Sequence, residues 1–214
     1  MDNPSSRPLL RGYFHAAAGG AAIAGFVGLM LLADSFRAYV AGAVFATSLI
    51  LLYLTSGTYH AINWGLRMKG LLRRLDHSMI FVLIAGSYTP FCLLVANGVW
   101  AVTVLAVVWS IAIAGILLKM IWPGAPRWLG VGLYLSAGWL GVVAGLPLAG
   151  WFALVPLVLL VLGGVLYTIG GVIYGLKRPD PFPRIFGYHE VFHVLVIAGS
   201  ALHYTLIAAY VIPA

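Results

Sequence analysis

Val99–Trp122 reads VWAVTVLAVVWSIAIAGILLKMIW, a run whose single charge, Lys119, lies one turn from its end. A helix needs about 20 apolar residues to cross a hydrocarbon core roughly 30 Å thick, and a strand has no use for a run of this length. The stretch therefore predicts a membrane-spanning helix. Asn97-Gly98 bounds it on one side and Pro123-Gly124-Ala125-Pro126 on the other, both strong chain breakers.

Working outward, the same criterion gives six further runs: Tyr13–Ala33, Tyr39–Ile62, Leu75–Ala96, Trp128–Leu148, Trp151–Leu176 and Glu190–Ala214. The expected fold is all-α and polytopic, with a short tail over residues 1–12 and seven transmembrane helices over 13–214. Breaks fall at Asp34/Arg37, in a basic stretch from Trp64 to Arg74, at Gly150 and in a loop containing Pro179, Pro181 and Pro183. The basic stretch, with Leu66, Met68, Leu71 and Leu72 interleaved, suits an interfacial segment against anionic lipid. The alternating prolines favour a stiff extended connector. Pro90 should kink the third span. Glycines crowd the first and sixth spans (Gly19, Gly20, Gly25, Gly28, Gly163, Gly164, Gly170, Gly171, Gly175), as helix-packing faces do. Trp100, Trp122, Trp128 and Trp151 sit near span ends, where interfacial anchors belong.

Composition agrees with this reading. Hydrophobic residues make up 63% of the 214 positions and charged residues 8%, against about a quarter in soluble domains. Mean hydropathy is +1.04. The net charge of +7 does not mark a nucleic-acid binder, because the basic residues are scattered between apolar runs rather than gathered on one face. They do order the topology. With the N-terminus cytoplasmic, the inner segments hold Arg7, Arg11, Arg67, Lys69, Arg73, Arg74, Lys119, Arg127, Lys177, Arg178 and Arg184, and the outer loops hold only Arg37. Cytoplasmic segments attract Lys and Arg, so the expected orientation is N-terminus in, C-terminus out. Cys92 is the sole cysteine, which excludes an intramolecular disulfide and a Cys-based zinc knuckle.

Ionisable side chains in a span are costly, so each is a functional candidate. The expected topology sorts them by depth. His60 closes span two, Asp76 opens span three, and His189 and His193 open span seven, all at the cytoplasmic side. His189 and His193 are four residues apart and share one helical face, as do Ser56 and His60. Two histidines on one helix and a third elsewhere form the ligand set of a catalytic zinc site, which keeps a fourth position for water. Zinc lowers the pKa of such a water to about 7. Asp76 is placed to orient it and accept its proton, and Ser56 could hydrogen-bond the water or a developing oxyanion. His15 and His77 lie near the same interface without an assigned role. His203, ten residues beyond His193, is about 15 Å deeper and cannot share the metal.

His189-Glu190-Val191-Phe192-His193 also fits H-E-x-x-H, in which the glutamate of a zinc protease acts as base. An intramembrane protease of that type needs a further ligand in a later segment. Here the available carboxylate, Asp76, lies upstream, which disfavours proteolysis.

Ser56-Gly57-Thr58-Tyr59-His60, Leu75-Asp76-His77, Ala85-Gly86-Ser87-Tyr88-Thr89-Pro90-Phe91 and His189-Glu190-Val191-Phe192-His193 with His203-Tyr204, in that order, resemble the hemolysin III proteins. These are the bacterial-type branch of the progestin and adipoQ receptor family, in a superfamily shared with alkaline ceramidases. The resemblance implies seven helices with a cytoplasmic N-terminus, zinc on His60, His189 and His193, a water-holding acid at Asp76 and the motif serine at Ser56. It gives no core position to Glu190. It also implies a bacterial inner-membrane location and membrane lipids as substrate or ligand. The leading expectation is a zinc-dependent hydrolase of an amide or ester bond in a membrane lipid, ceramidase-like in chemistry. A membrane-state regulator or receptor-like protein with a structural zinc is the alternative. A pore-forming hemolysin ranks below both, because most spans lack a continuous polar stripe.

Overall fold

The computed structural model describes residues 8–145 and 153–213. Arg7, the expected end of span five at Leu148, the Gly150 break, the start of span six with its anchor at Trp151, and Ala214 lie outside the described residues. Seven α-helices are described: α1 (Tyr13–Leu32), α2 (Phe36–Ala61), α3 (Leu66–Pro90), α4 (Gly98–Ile121), α5 (Arg127–Gly145), α6 (Leu154–Leu176) and α7 (Tyr188–Leu206). Six of them are long and apolar enough to cross a membrane; α5, on its described residues, is not among the six. The chain is thus an all-helical, multi-pass integral membrane protein. Its one extended pairing among the described residues is an isolated bridge between Phe182 and Phe186.

The helix ends follow local chemistry. Ser35 caps α2 by accepting from the Ala38 amide at 3.2 Å. Gly98 takes φ 64, the left-handed conformation that lets α4 restart sharply after Asn97. Glu190 reaches back to the Gly187 amide at 2.8 Å and so sets the start of α7.

Two stretches differ from the sequence expectation. The basic segment before Asp76 is not a break between helices: α3 begins at Leu66, nine residues before the expected Leu75. Leu, Arg, Met and Lys are all strong helix formers, and nothing between Leu66 and Arg74 except Gly70 opposes the helix. The proline connector is not a plain rod either. Arg178-Pro179 is cis, and Phe182 accepts from the Ile185 and Phe186 amides at 2.8 Å in a tight turn. Directly after Pro90, α3 widens into a π turn over Phe91–Val95.

α2 and α3 form the centre of the bundle, with half of their spanning residues buried against 11% in α6 and 22% in α1 and α4. Small residues let α2 and α3 close on each other. A Cβ added at Gly86 would run into the Ser48 side chain, which itself donates to the Phe45 carbonyl at 2.6 Å. Among the glycines of spans one and six, Gly19, Gly25, Gly28, Gly163, Gly170 and Gly171 face neighbouring helices, whereas Gly20 and Gly164 face open space. Phe45, Leu29, Ile207 and Val211 fill the centre of the main core and are fully buried. This tight side of the bundle positions the polar end described next.

Candidate metal centre

Three helices bring their ionisable residues to one end of the bundle. His60 lies at the C-terminal end of α2, Asp76 in the third turn of α3, and His189 and His193 in the first two turns of α7. The end of α2 is held by Trp64, whose indole donates to the Thr58 carbonyl at 2.9 Å. The start of α7 is fixed by the Glu190 cap and by Asp180, which accepts from the Tyr188 amide at 2.8 Å.

The three imidazoles of His60, His189 and His193 each present a nitrogen within 4.8 Å of the others. They are 7, 9 and 2% exposed. The Nε2 atoms of His60 and His189 face each other at 3.1 Å. Two imidazole ligands held at 2.0–2.1 Å in a tetrahedral site would sit about 3.3 Å apart, so this spacing suits a shared cation. His193 Nδ1 is buried with no hydrogen-bond partner. A set of neutral imidazoles with an unsatisfied nitrogen among them is chemically suited to a borderline-soft metal. The residues present thus fit a metal ion.

Asp76 stands beside this cluster rather than in it. Its Oδ2 is 3.6 Å from His60 Nε2, beyond hydrogen-bond length and within reach through one water. Ser56, 2% exposed and one turn before His60, lines the same end of the bundle beside Asp76. All five residues singled out in the sequence therefore meet at one place. His77, next to Asp76, turns the other way, its Nε2 3.4 Å from the Tyr174 hydroxyl. His203 is apart from the cluster, with Nε2 on the Leu160 carbonyl at 3.2 Å.

His15 is the residue whose position the sequence did not resolve. Its ring stacks on His193 at 3.7 Å with 12° between planes, and both ring nitrogens are buried without partners. Its place at the start of span one gave its depth, but the rotation of α1 about its own axis was not legible. Gly12 explains the close approach: it takes φ 89, and a Cβ there would lie 2.6–2.9 Å from the backbone of His60 and Ala61.

Glu190, the glutamate of H-E-x-x-H, is committed elsewhere. It is fully buried, and its Oε1 accepts from Arg11 Nε at 2.8 Å while Oε2 holds the Gly187 amide. The Leu9 and Leu10 amides bond the Arg184 and Ile185 carbonyls at 3.0 and 3.2 Å, so the segment before α1 is tied to the α6–α7 loop by its backbone and to the start of α7 by the ion pair. Both of its carboxylate oxygens are in use, so Glu190 is not free to act as the base of H-E-x-x-H. Glu190→Gln is expected to leave metal content unchanged while lowering stability by about 3 kcal/mol through the orphaned Arg11. Metal analysis beside thermal unfolding of the same preparation checks both halves.

A cavity of about 610 Å³ opens from the cluster. Ser56, Asp76, His189 and His193 line one end, and apolar side chains such as Ile84, Phe91 and Leu157 line its length.

Comparison with known proteins agrees with this architecture. The family described as Haemolysin-III related matches residues 4–204. The "Hemolysin-3 homolog" of Bacillus subtilis is 37% identical over 80% of this chain and 77% of its own length. "Hemolysin-3" of Bacillus cereus is 36% identical over 82% and 77%. The "Adiponectin receptor protein" of Drosophila melanogaster is 31% identical over 77% of this chain but 41% of its own length. With a family match across nearly all of the chain, and relatives of this identity covering about four fifths of it, the protein belongs to the hemolysin III branch of the progestin and adipoQ receptor family.

Proposed function

We propose that this protein is a zinc-dependent hydrolase of an amide or ester bond in a membrane lipid, with His60, His189 and His193 as the metal ligands. The observation that carries the reading is the junction of the buried histidine cluster with a long, mostly apolar cavity. A purely structural metal needs no such space beside it. A lipid chain does, and its headgroup linkage would come to rest near the histidines.

When bound, zinc supplies Lewis acidity toward a carbonyl and toward water. The chain's own residues do the rest. Asp76, which is not among the three grouped side chains, orients the water and takes its proton at Oδ2. Ser56 steadies the Asp76 carboxyl and offers a hydroxyl to the developing oxyanion. The apolar wall from Ile84 to Leu157 excludes bulk water along the acyl chain. The orientation we assign is N-terminus in and C-terminus out across the bacterial plasma membrane, supported by the concentration of Lys and Arg in the segments at the histidine end.

Hemolysis, the activity in the names of the Bacillus relatives, is not the reading favoured here, because the cavity wall is mostly apolar. The test is metal-dependent turnover of a fluorogenic long-chain lipid amide by protein in neutral detergent. Chelation is expected to abolish cleavage, and about one equivalent of zinc to restore it. Turnover that survives complete chelation, or a protein that takes up no zinc, would sink the proposal.

A further inference from the structure

Four basic side chains line the cavity at its histidine end: Arg73 and Arg74 from α3, Lys119 from α4 and Arg127 from α5. Retention of positive charge on the cytoplasmic side does not account for them. That role is met by side chains such as Arg67, Lys69, Lys177 and Arg178, which are exposed and outside the cavity. Lys119 is only 8% exposed. Its ammonium lies 5.5 Å from the centre of the Tyr134 ring and fills the space left by Gly130, where a Cβ would approach Nζ to 2.7 Å. The Arg127 guanidinium lies on the Tyr174 ring at 4.9 Å, and Nη1 donates to the Tyr174 carbonyl at 3.3 Å. Arg74 Nε is buried with no hydrogen-bond partner. Arg73 stands at the rim, near enough to repel Lys119.

Among the described residues, the two ion pairs are Arg11–Glu190 and His60–Asp76, and neither involves these four cations. Asp76 is the one carboxylate on this wall and it sits against His60, so the four cations outnumber the negative charge beside them, which is costly at a partly buried site unless a ligand supplies more. Guanidinium forks and an ammonium together match the oxygens of a phosphate. One side of the site is linked to the histidine cluster by His77, which holds Tyr174 at Nε2 and Tyr134 at its carbonyl (3.4 and 3.1 Å). The other opens onto the apolar length of the cavity.

We propose that Lys119, Arg127, Arg73 and Arg74 form a phosphate site for an amphiphile whose hydrocarbon chain occupies the cavity. That the bond beside the histidines is then cleaved rests on the hydrolase reading above; the binding of the phosphate does not.

The test uses the whole protein in neutral detergent and lipids with brominated acyl chains, which quench Trp100 and Trp139 on the cavity wall. Phosphatidic acid is compared with diacylglycerol of the same chains. Wild type is expected to bind phosphatidic acid at least about tenfold more tightly, the worth of one or more charge-assisted hydrogen bonds. Lys119→Gln and Arg127→Gln should each remove most of that preference while keeping the wild-type affinity for diacylglycerol, which shows the cavity intact. Arg178→Gln, outside the cavity, should keep the preference. Equal binding of the two lipids by wild type, or an undiminished preference in Lys119→Gln, would overturn the proposal. Displacement of phosphatidic acid by inorganic phosphate at matching concentrations would overturn it in favour of a free anion. A headgroup preference that persists in protein holding no zinc would support this site while the hydrolase reading fails, so the two stand or fall separately.

Discussion

His193→Ala is expected to yield a folded protein that has lost its metal. Zinc bound by four protein ligands is worth about 10–16 kcal/mol, so each ligand accounts for about 3 kcal/mol or more, and removing one weakens binding about 10²- to 10³-fold. Dialysis against a mild chelator would then leave wild type with about one zinc per chain and the variant with almost none. His193 is the most informative of the three to remove. It is 2% exposed, its Nδ1 has no protein partner, and its ring is stacked on His15 rather than bonded to it. Its loss costs packing but no hydrogen bond among the described residues, so helix content by circular dichroism should be retained. His203→Ala is the matched control. It too removes a mostly buried imidazole from α7, yet His203 bonds only the Leu160 carbonyl and should keep full zinc. Equal zinc in wild type and His193→Ala would remove His193 from the ligand set and with it the proposed site.

The convergence behind that prediction was legible because depth in a membrane can be read from sequence. Counting apolar runs and following the sign of the loops placed His60, Asp76, His189 and His193 at one level, and spacing four residues apart placed the α7 pair on one face. Helix rotation and the partners of buried charges cannot be read this way. His15 had the right depth, but its stacking on His193 depends on how α1 turns against α2, which Gly12 allows by packing on the backbone of His60. Lys119 had the position of an ordinary cytoplasmic anchor. Its inward course needs the gap at Gly130 and the ring of Tyr134, two residues of another helix. Arg11 and Glu190 are 179 residues apart, so their pairing is not legible in the sequence, and the engagement of both Glu190 oxygens adds to the case against proteolysis that the upstream position of Asp76 makes. The start of α3 was missed for a local reason. Arg67, Lys69, Arg73 and Arg74 made the segment look like a surface element, although every residue but Gly70 favours a helix.

Asp76→Asn is expected to separate metal binding from catalysis. The carboxylate lies outside the three-imidazole group, so the variant should hold about one zinc per chain as wild type does. Asparagine has nearly the same shape and keeps an oxygen toward Ser56, but it cannot accept a proton at neutral pH. If Asp76 is the proton acceptor, turnover of the lipid amide should fall about 10²- to 10⁴-fold, the usual worth of a positioned general base. The loss should appear in kcat with little change in KM, because the acyl chain is held by the apolar wall and not by the carboxylate. Glu190→Gln serves as the contrast within the same enzyme. It alters a carboxylate immediately after a proposed ligand, yet kcat should stay within about threefold of wild type, since that side chain is spent on Arg11 and on the cap of α7. The opposite pattern, with Asp76→Asn active and Glu190→Gln inactive, would reverse the assignment and return H-E-x-x-H to the centre of the chemistry. Loss of zinc in Asp76→Asn would instead make the carboxylate a ligand or the support of one, and the metal site would then be drawn from three helices with the acid inside it.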